Sequence, residues 1–240
     1  MSMSQLETYW VTVPDWITPD LLAGSHSFLD PEEQQTYDRY RVDFKKIEFL
    51  TGRVLLKKLL SCKLKLPPEE IRFVRNDYGK LFLKTDHAPQ LFFNLTHTDR
   101  LVACVFSSRD GVGIDMERIR RAPFEVMNQV FLQSEMDWVQ SQPNPEMKER
   151  AFFLLWTRKE AVMKAVGLGF SLPPKTFTVP RIWGEVTDHR YKYFTSRLSL
   201  PESDALCSVV LTHPKPAESH GVSCSFQRLT VEQLYGLGRG

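Results

Sequence analysis

The sequence predicts an α+β protein in which long helices pack on mainly antiparallel sheets, and three observations carry that expectation. Two long stretches, 43–62 and 151–166, repeat apolar residues at helical spacing. Short runs of strand composition follow one another in groups. Turn-forming residues, such as Asn76-Asp77-Tyr78-Gly79 and Arg109-Asp110-Gly111, separate those runs closely enough for hairpins.

In chain order, LETYWVTV (residues 6–13) reads as a first strand closed by Pro14, with a short helix after it. Asp30-Pro31-Glu32-Glu33 has the composition of a helix start: a capping aspartate, proline at the first position and acids in the first turn. From Asp43 to Cys62, Ile47, Leu50, Val54, Leu55 and Leu59 recur on one side, while Lys45, Lys46, Arg53, Lys57 and Lys58 make the helix basic and amphipathic. Pro67-Pro68 ends it. Strands are expected at IRFVR (71–75), KLFLK (80–84), LFFNLT (91–96) and LVACVFS (101–107), and a hairpin turn at 109–111 should pair the last of these with VGIDME (112–117). Helices around 123–140 and 146–166 then precede strands at FTVP (177–180), YKYFTSRL (191–198), LCSVVLTH (206–213) and VSCSFQRL (222–229). QPNPE (142–146) is a loop between helices, and no sequence repeat relates the halves.

At 240 residues the chain can bury a full core as one large domain or two small ones. A net charge of +2 gives no global basic field of the kind that attracts nucleic acid. No apolar run approaches the roughly 20 residues needed to span a bilayer. The polar start MSMSQLETYW lacks the basic and apolar regions of a signal peptide, so a cytoplasmic location is expected. Cys62, Cys104, Cys207 and Cys224 lack metal-binding spacing and read as buried free thiols.

Chemistry concentrates in a few places. In GIDME (113–117), alternation sends Val112, Ile114 and Met116 to one face of a strand and Asp115 and Glu117 together to the other. Two adjacent anions imply a cation, a shared proton or a wet sheet edge. In AFFLLWTRKEAVMKAVG (151–167), Trp156, Glu160 and Lys164 share one helix side. A Glu-to-Lys pair at this spacing is by itself an ordinary helix support worth a few tenths of a kcal/mol, but the tryptophan beside it fits the rim of a cleft better than a solvated face. NLTHTD (94–99) offers His97 with the hydroxyls of Thr96 and Thr98 at a strand end, and Gly79-Lys80 offers a close backbone approach with a point charge.

Three carboxylates, Asp115, Glu117 and Glu160, surrounded by Lys80, His97, Lys164 and Arg53, favour a hard cation such as Mg2+ that shares its coordination with a polyphosphate. With no Walker or kinase glycine loop present, the residues alone describe a magnesium-dependent phosphotransferase of unspecified substrate.

The ordered motifs FNLTHT, GVGIDME and FFLLWTRKEAVMKAVG, with GK at 79–80, FLQSE at 131–135 and GFSLP at 169–173, resemble the 4′-phosphopantetheinyl transferases of the surfactin-synthetase-activating type over roughly residues 30–180. That resemblance implies transfer of phosphopantetheine from coenzyme A to a serine of an apo acyl or peptidyl carrier protein, releasing adenosine 3′,5′-bisphosphate. It also implies a monomeric pseudo-dimer of two similar α/β halves, here 1–108 and 109–240, with the active site in the cleft between.

Residue by residue, the resemblance implies that Asp115, Glu117 and Glu160 bind magnesium and that Glu160 accepts the serine proton, directly or through water. It implies His97 on a phosphate of coenzyme A, Thr96 and Lys80 near the 3′-phosphate, Lys164 on the pyrophosphate, Arg53 at the nucleotide end, and Glu135 as a further acid assisting metal or base. Leu81 replaces the proline frequent after Gly-Lys, Thr96 replaces serine and keeps the hydroxyl, and Met116 cannot serve as a magnesium ligand, which leaves that position to water. Phe124, Met127 and Phe131 are candidates for an apolar carrier-docking patch, and Arg118, Arg120 and Arg121 for steering an acidic carrier. Competing readings are a magnesium-dependent phosphohydrolase and an inactive carrier-binding scaffold.

Overall fold

The computed structural model describes residues 5–85, 91–213 and 221–236; residues 1–4, part of the polar start read above, lie outside it. The protein is mixed α/β, and its helices lie on the outer faces of two four-stranded sheets.

Strand β1 (Gln5–Thr12) leads through a 3-10 helix at Asp20–Phe28 into helix α1 (Pro31–Arg39). Asp30 caps α1 as its composition predicts: its carboxylate accepts from the Glu33 N–H while the Glu33 side chain accepts from the Asp30 N–H. Helix α2 (Asp43–Leu64) ends where Lys65 turns left-handed, just before the two prolines. A small hairpin, β2 (Phe73–Arg75) and β3 (Leu81–Leu83), precedes β4 (Phe92–Thr98) and β5 (Leu101–Ser107). The first sheet runs β4-β5-β1, and α2 covers it through Leu50 and Val54 against Val102, Cys104 and Phe106.

The expected hairpin between 101–107 and 112–117 does not form. Both edges of β5 are already occupied by β1 and β4, so β6 (Val112–Arg118) has no free edge there. Instead Gly111, at φ +76°, carries the chain into a second sheet, where β6 pairs with β9 (Ala205–Thr212). Before that strand come the short helices α3 (Met127–Val130) and α4 (Gln133–Gln140), the 22-residue α5 (Pro145–Val166), β7 (Glu185–Thr187) and β8 (Tyr191–Leu198). The order in this sheet is β6-β9-β8-β7, all antiparallel.

Asn144 caps α5 through the Met147 N–H, and Gly167 stops it in the left-handed region at φ +81°. Phe152, Leu155 and Val162 of α5 are buried with Tyr193, Leu206 and Val210. Each such side chain contributes roughly 1.5–3 kcal/mol, so sheet packing holds this helix far more firmly than its surface ion pairs do. A third core, including Trp10 and Val105 of the first sheet and Ile114, Met116 and Val209 of the second, lies between the sheets.

Three further expectations change. The 123–140 helix is broken into a 3-10 turn, α3 and α4, with Phe131 extended at the break. FTVP is no strand, because the carbonyls of Phe177 and Pro180 are taken by the buried cations Lys159 and Arg158 of α5 rather than by a ladder. Cys62 is exposed on α2, while Cys104 and Cys207 are buried and Cys224 is half-buried, all free. The last strand, β10 (Ser223–Leu229), lies within 109–240 by sequence yet pairs in parallel with β1 of the first sheet, and the short α6 (Val231–Tyr235) then packs into the α2 core. Among the described residues no helix is long and apolar enough to cross a membrane.

Candidate active site between the two halves

Gly113 is the reason α5 lies directly on β6. A Cβ there would stand 2.1 Å from the Ala161 carbonyl oxygen and 2.4 Å from the Ala165 amide nitrogen, so no side chain can occupy this position. The close approach places Glu160 and Lys164, one helical turn apart, beside Asp115 two residues along the strand. Lys164 Nζ donates to Asp115 Oδ1 at 2.6 Å and to Thr96 Oγ1 at 3.1 Å, and Thr96 Oγ1 donates to the same Asp115 oxygen at 3.1 Å.

Thr96 arrives from the other half. Strands β4 and β6 are not hydrogen-bonded neighbours within a sheet; they meet through side chains at every second residue of β4. The Ile114 N–H donates to Asn94 Oδ1 at 3.1 Å, Thr96 holds Asp115, and Thr98 Oγ1 donates to Glu117 Oε2 at 3.1 Å. The acidic pair thus points to one face of β6, as alternation requires, and both members are fastened by threonines of the opposite half.

The anions are under stress. Burial, then the neighbouring Asp115, pushes the Glu160 carboxyl up to about 7 despite Lys164. Burial and Asp115 push Glu117 up to about 7 as well, with Thr98 and Arg120 opposing. Burial disfavours the Lys164 ammonium, but Asp115, bonded to it, with Glu160 and Glu117 nearby, outweighs that and raises it.

Facing these groups is a cleft of about 380 Å³ lined by α2, β4, the β2–β3 turn and α5, and by Arg53, Lys80, His97, Glu160 and Lys164 among the expected residues. Thr96 and Asp115 adjoin it through Lys164. Each first-half cation already has a protein partner. Arg53 Nε lies 2.7 Å from Glu33 Oε1, and Lys57 Nζ lies 2.6 Å from Glu33 Oε2. Lys80 Nζ donates to the Ala165 carbonyl at 2.8 Å, and Asn76 Nδ2 donates to the Gly167 carbonyl at 2.8 Å, so the β2–β3 turn grips the C-terminal end of α5. His97 Nδ1 lies 3.2 Å from Glu48 Oε2.

Glu135 belongs elsewhere. It is fully buried, its Oε2 lying 3.0 Å from Lys159 Nζ and accepting from the Leu132 N–H at 2.9 Å, so it fastens α4 to α5. Phe131 and Met127 are core residues, and Phe124 stacks edge-on against Phe152, so these three form no docking patch. Sequence reasoning offered Thr98 as a hydroxyl for a ligand, whereas it fastens Glu117, and it missed Glu48 and Asn94 as partners of site residues. Only Thr98 carried a signal, through its alternation with Thr96.

Whether these residues suit a divalent cation can be judged from their oxygens. Asp115 Oδ2 is buried without a hydrogen-bond partner, and Glu117 and Glu160 resist ionisation where they stand. Among the described residues no three acidic, histidine or cysteine side chains are already gathered around one point. The donor set is nonetheless all oxygen, includes one orphaned atom and needs positive charge, which fits a hard cation completed by ligand oxygens.

Comparison with known proteins agrees with the site. Residues 111–210 match the 4′-phosphopantetheinyl transferase superfamily, and residues 17–109 match the N-terminal region of 4′-phosphopantetheinyl transferases. The chain is 34% identical over 176 residues to the 4′-phosphopantetheinyl transferase gsp of Aneurinibacillus migulanus, covering 73% of this chain and 72% of that protein. It is 31% identical over 153 residues to the 4′-phosphopantetheinyl transferase Sfp of Bacillus subtilis strain 168, covering 64% and 66%. A phosphopantetheinyl transferase of Thraustochytrium sp. is 26% identical over 229 residues, covering 87% and 79%.

Proposed function

The chain belongs to the 4′-phosphopantetheinyl transferase superfamily, and on that premise we propose that the cleft is where it transfers phosphopantetheine from coenzyme A to a carrier-protein serine. The single observation that carries this reading is the meeting of Asp115, Glu160 and Lys164 beside a cleft whose other wall presents Arg53, Lys80 and His97.

In this reading magnesium would be held by Asp115, Glu117 and Glu160, and when bound it supplies positive charge to the coenzyme A pyrophosphate. The protein's own groups divide the remaining work. Lys164 neutralises pyrophosphate charge, while His97, Thr96, Lys80 and Arg53 orient the nucleotide end. Glu160, lining the cleft, accepts the proton of the serine hydroxyl, directly or through water. The serine oxygen forms a bond to the β-phosphorus, the bond from that phosphorus to the bridging oxygen breaks, and adenosine 3′,5′-bisphosphate leaves with the electron pair.

Arg118 ends β6, and Arg120 and Arg121 just after it are exposed, which suits an acidic carrier arriving at this edge. The test is incubation with coenzyme A, magnesium and an apo-carrier, read by mass spectrometry. Addition of phosphopantetheine that disappears on chelation supports the reading. Free adenosine bisphosphate without carrier modification would favour hydrolysis, and no reaction with a panel of carriers would favour a scaffold.

A further inference from the structure

Glu48 is fully buried beneath the cleft floor, on the helix that supplies Arg53 one turn later. Gly52 brings it there, because the absent Cβ would stand 3.0 Å from Leu95 Cδ2, so α2 lies close against β4. The carboxylate accepts from three sides: His97 Nδ1 at 3.2 Å, Lys45 Nζ at 2.8 Å and the Arg100 N–H at 2.9 Å. With Nδ1 engaged, Nε2 is the ring nitrogen left to meet a ligand in the cleft.

We propose that Glu48 is a positioning residue for the transfer reaction: it fixes the orientation of the His97 ring so that the Nε2 edge faces the coenzyme A phosphate. The proposal rests on the reading of His97 given above. With Nδ1 held by the carboxylate, the ring cannot turn over, and the same edge always faces the cleft. The carboxylate is itself secure as an anion. Burial alone would raise it, but the bonds from His97, Lys45 and the Arg100 amide prevail and bring it to about 2.

A structural role is the competing explanation. Asp99 and Arg100 form the two-residue turn between β4 and β5, both left-handed at φ 40° and 61°, a conformation that costs about 1–2 kcal/mol for each non-glycine residue. Glu48 holds the Arg100 amide of that turn, so its loss could act through the turn alone.

A double-mutant cycle separates the two. Glu48→Gln keeps the volume and an acceptor for the Arg100 amide but removes the charge. It is expected to raise the KM for coenzyme A about tenfold with kcat little changed, the difference between a charge-assisted and a neutral hydrogen bond. His97→Ala is expected to do at least as much, and the double variant no more than His97→Ala alone. Effects that add in full would overturn the positioning role while leaving the His97 contact standing. A His97→Ala enzyme with unchanged KM would remove the contact itself, and the proposal with it. Should Glu48→Gln fail to fold by circular dichroism, Glu48→Asp in both backgrounds gives the same reading, with a smaller loss confined to the chain that retains His97.

Discussion

The two walls of the cleft treat charge in opposite ways. On the first-half wall each ionic group named above lies against an opposite charge or a carbonyl: Arg53 2.7 Å from Glu33, without hydrogen-bond alignment, His97 3.2 Å from Glu48, and Lys80 on the Ala165 carbonyl. On the second-half side Glu160 lines the cleft and is pushed up to about 7, while Asp115, bonded to the lining Lys164, keeps an unpartnered buried oxygen and Glu117 beside it is pushed up to about 7 as well. One surface is finished before any ligand arrives, and the other is complete only with added positive charge. In the proposed reading, pre-organisation of the nucleotide side would lower the ordering cost of binding, and the acidic side would hold its affinity in reserve for a cation.

The sharpest way to break that contrast is on the acidic wall. Asp115→Ala should lower carrier modification about 10³-fold, since it removes the proposed cation ligand and the partner of Lys164 at once. Glu160→Gln should lower kcat by about 10²–10⁴-fold, the usual range for loss of a general base, with the KM for coenzyme A changing far less. On the finished wall the expected loss is of stability instead. Glu33→Gln leaves Arg53 and Lys57 buried without their anion and should cost about 3–5 kcal/mol in urea denaturation, with the magnesium dependence of any remaining activity unchanged.

Acidity sharpens the same contrast. Glu117 and Glu160 hold protons more tightly in the folded, metal-free protein than unfolded, so stability should fall as pH rises from about 4.5 to about 7 and level off above that. Glu48 runs the other way. Its carboxyl is lowered to about 2, so its contribution is present above about 4.5 and is lost as pH falls toward 2. Urea midpoints of the chelated protein across pH 3–8 should therefore peak on the acidic side of neutrality, and magnesium should raise the arm above pH 7. A Glu117→Gln, Glu160→Gln double variant that kept the declining arm would remove this account. The smallest effect is expected from Thr98→Val, which unfastens Glu117 and should raise the magnesium needed for half-maximal activity about tenfold at unchanged coenzyme A KM.

Much of this was legible in the amino-acid order because the relevant signals are local. The capping box at Asp30, the long helices ending near Pro67 and at Gly167, and the alternation that pairs Asp115 with Glu117 all depend on residues within a few positions of one another. What escaped depends on partners far along the chain. Whether β6 pairs with β5 is decided by β1 having taken the free edge, and Glu135 faces Lys159 because the break at Phe131 turns α4 inward. No local pattern singles out Glu48 on this helix. Its burial follows from Gly52 and Leu95, whose contact no helical periodicity reports.

The pairing of β1 with β10, Gln5 opposite Ser223, has a consequence for synthesis. A ribosome must deliver some two hundred further residues before the outer edge of β1 meets its neighbour, so the first strand waits on one made far later. During that interval the exposed edge invites pairing with other nascent chains, and a message cut short before β10 should yield aggregates rather than a smaller working enzyme.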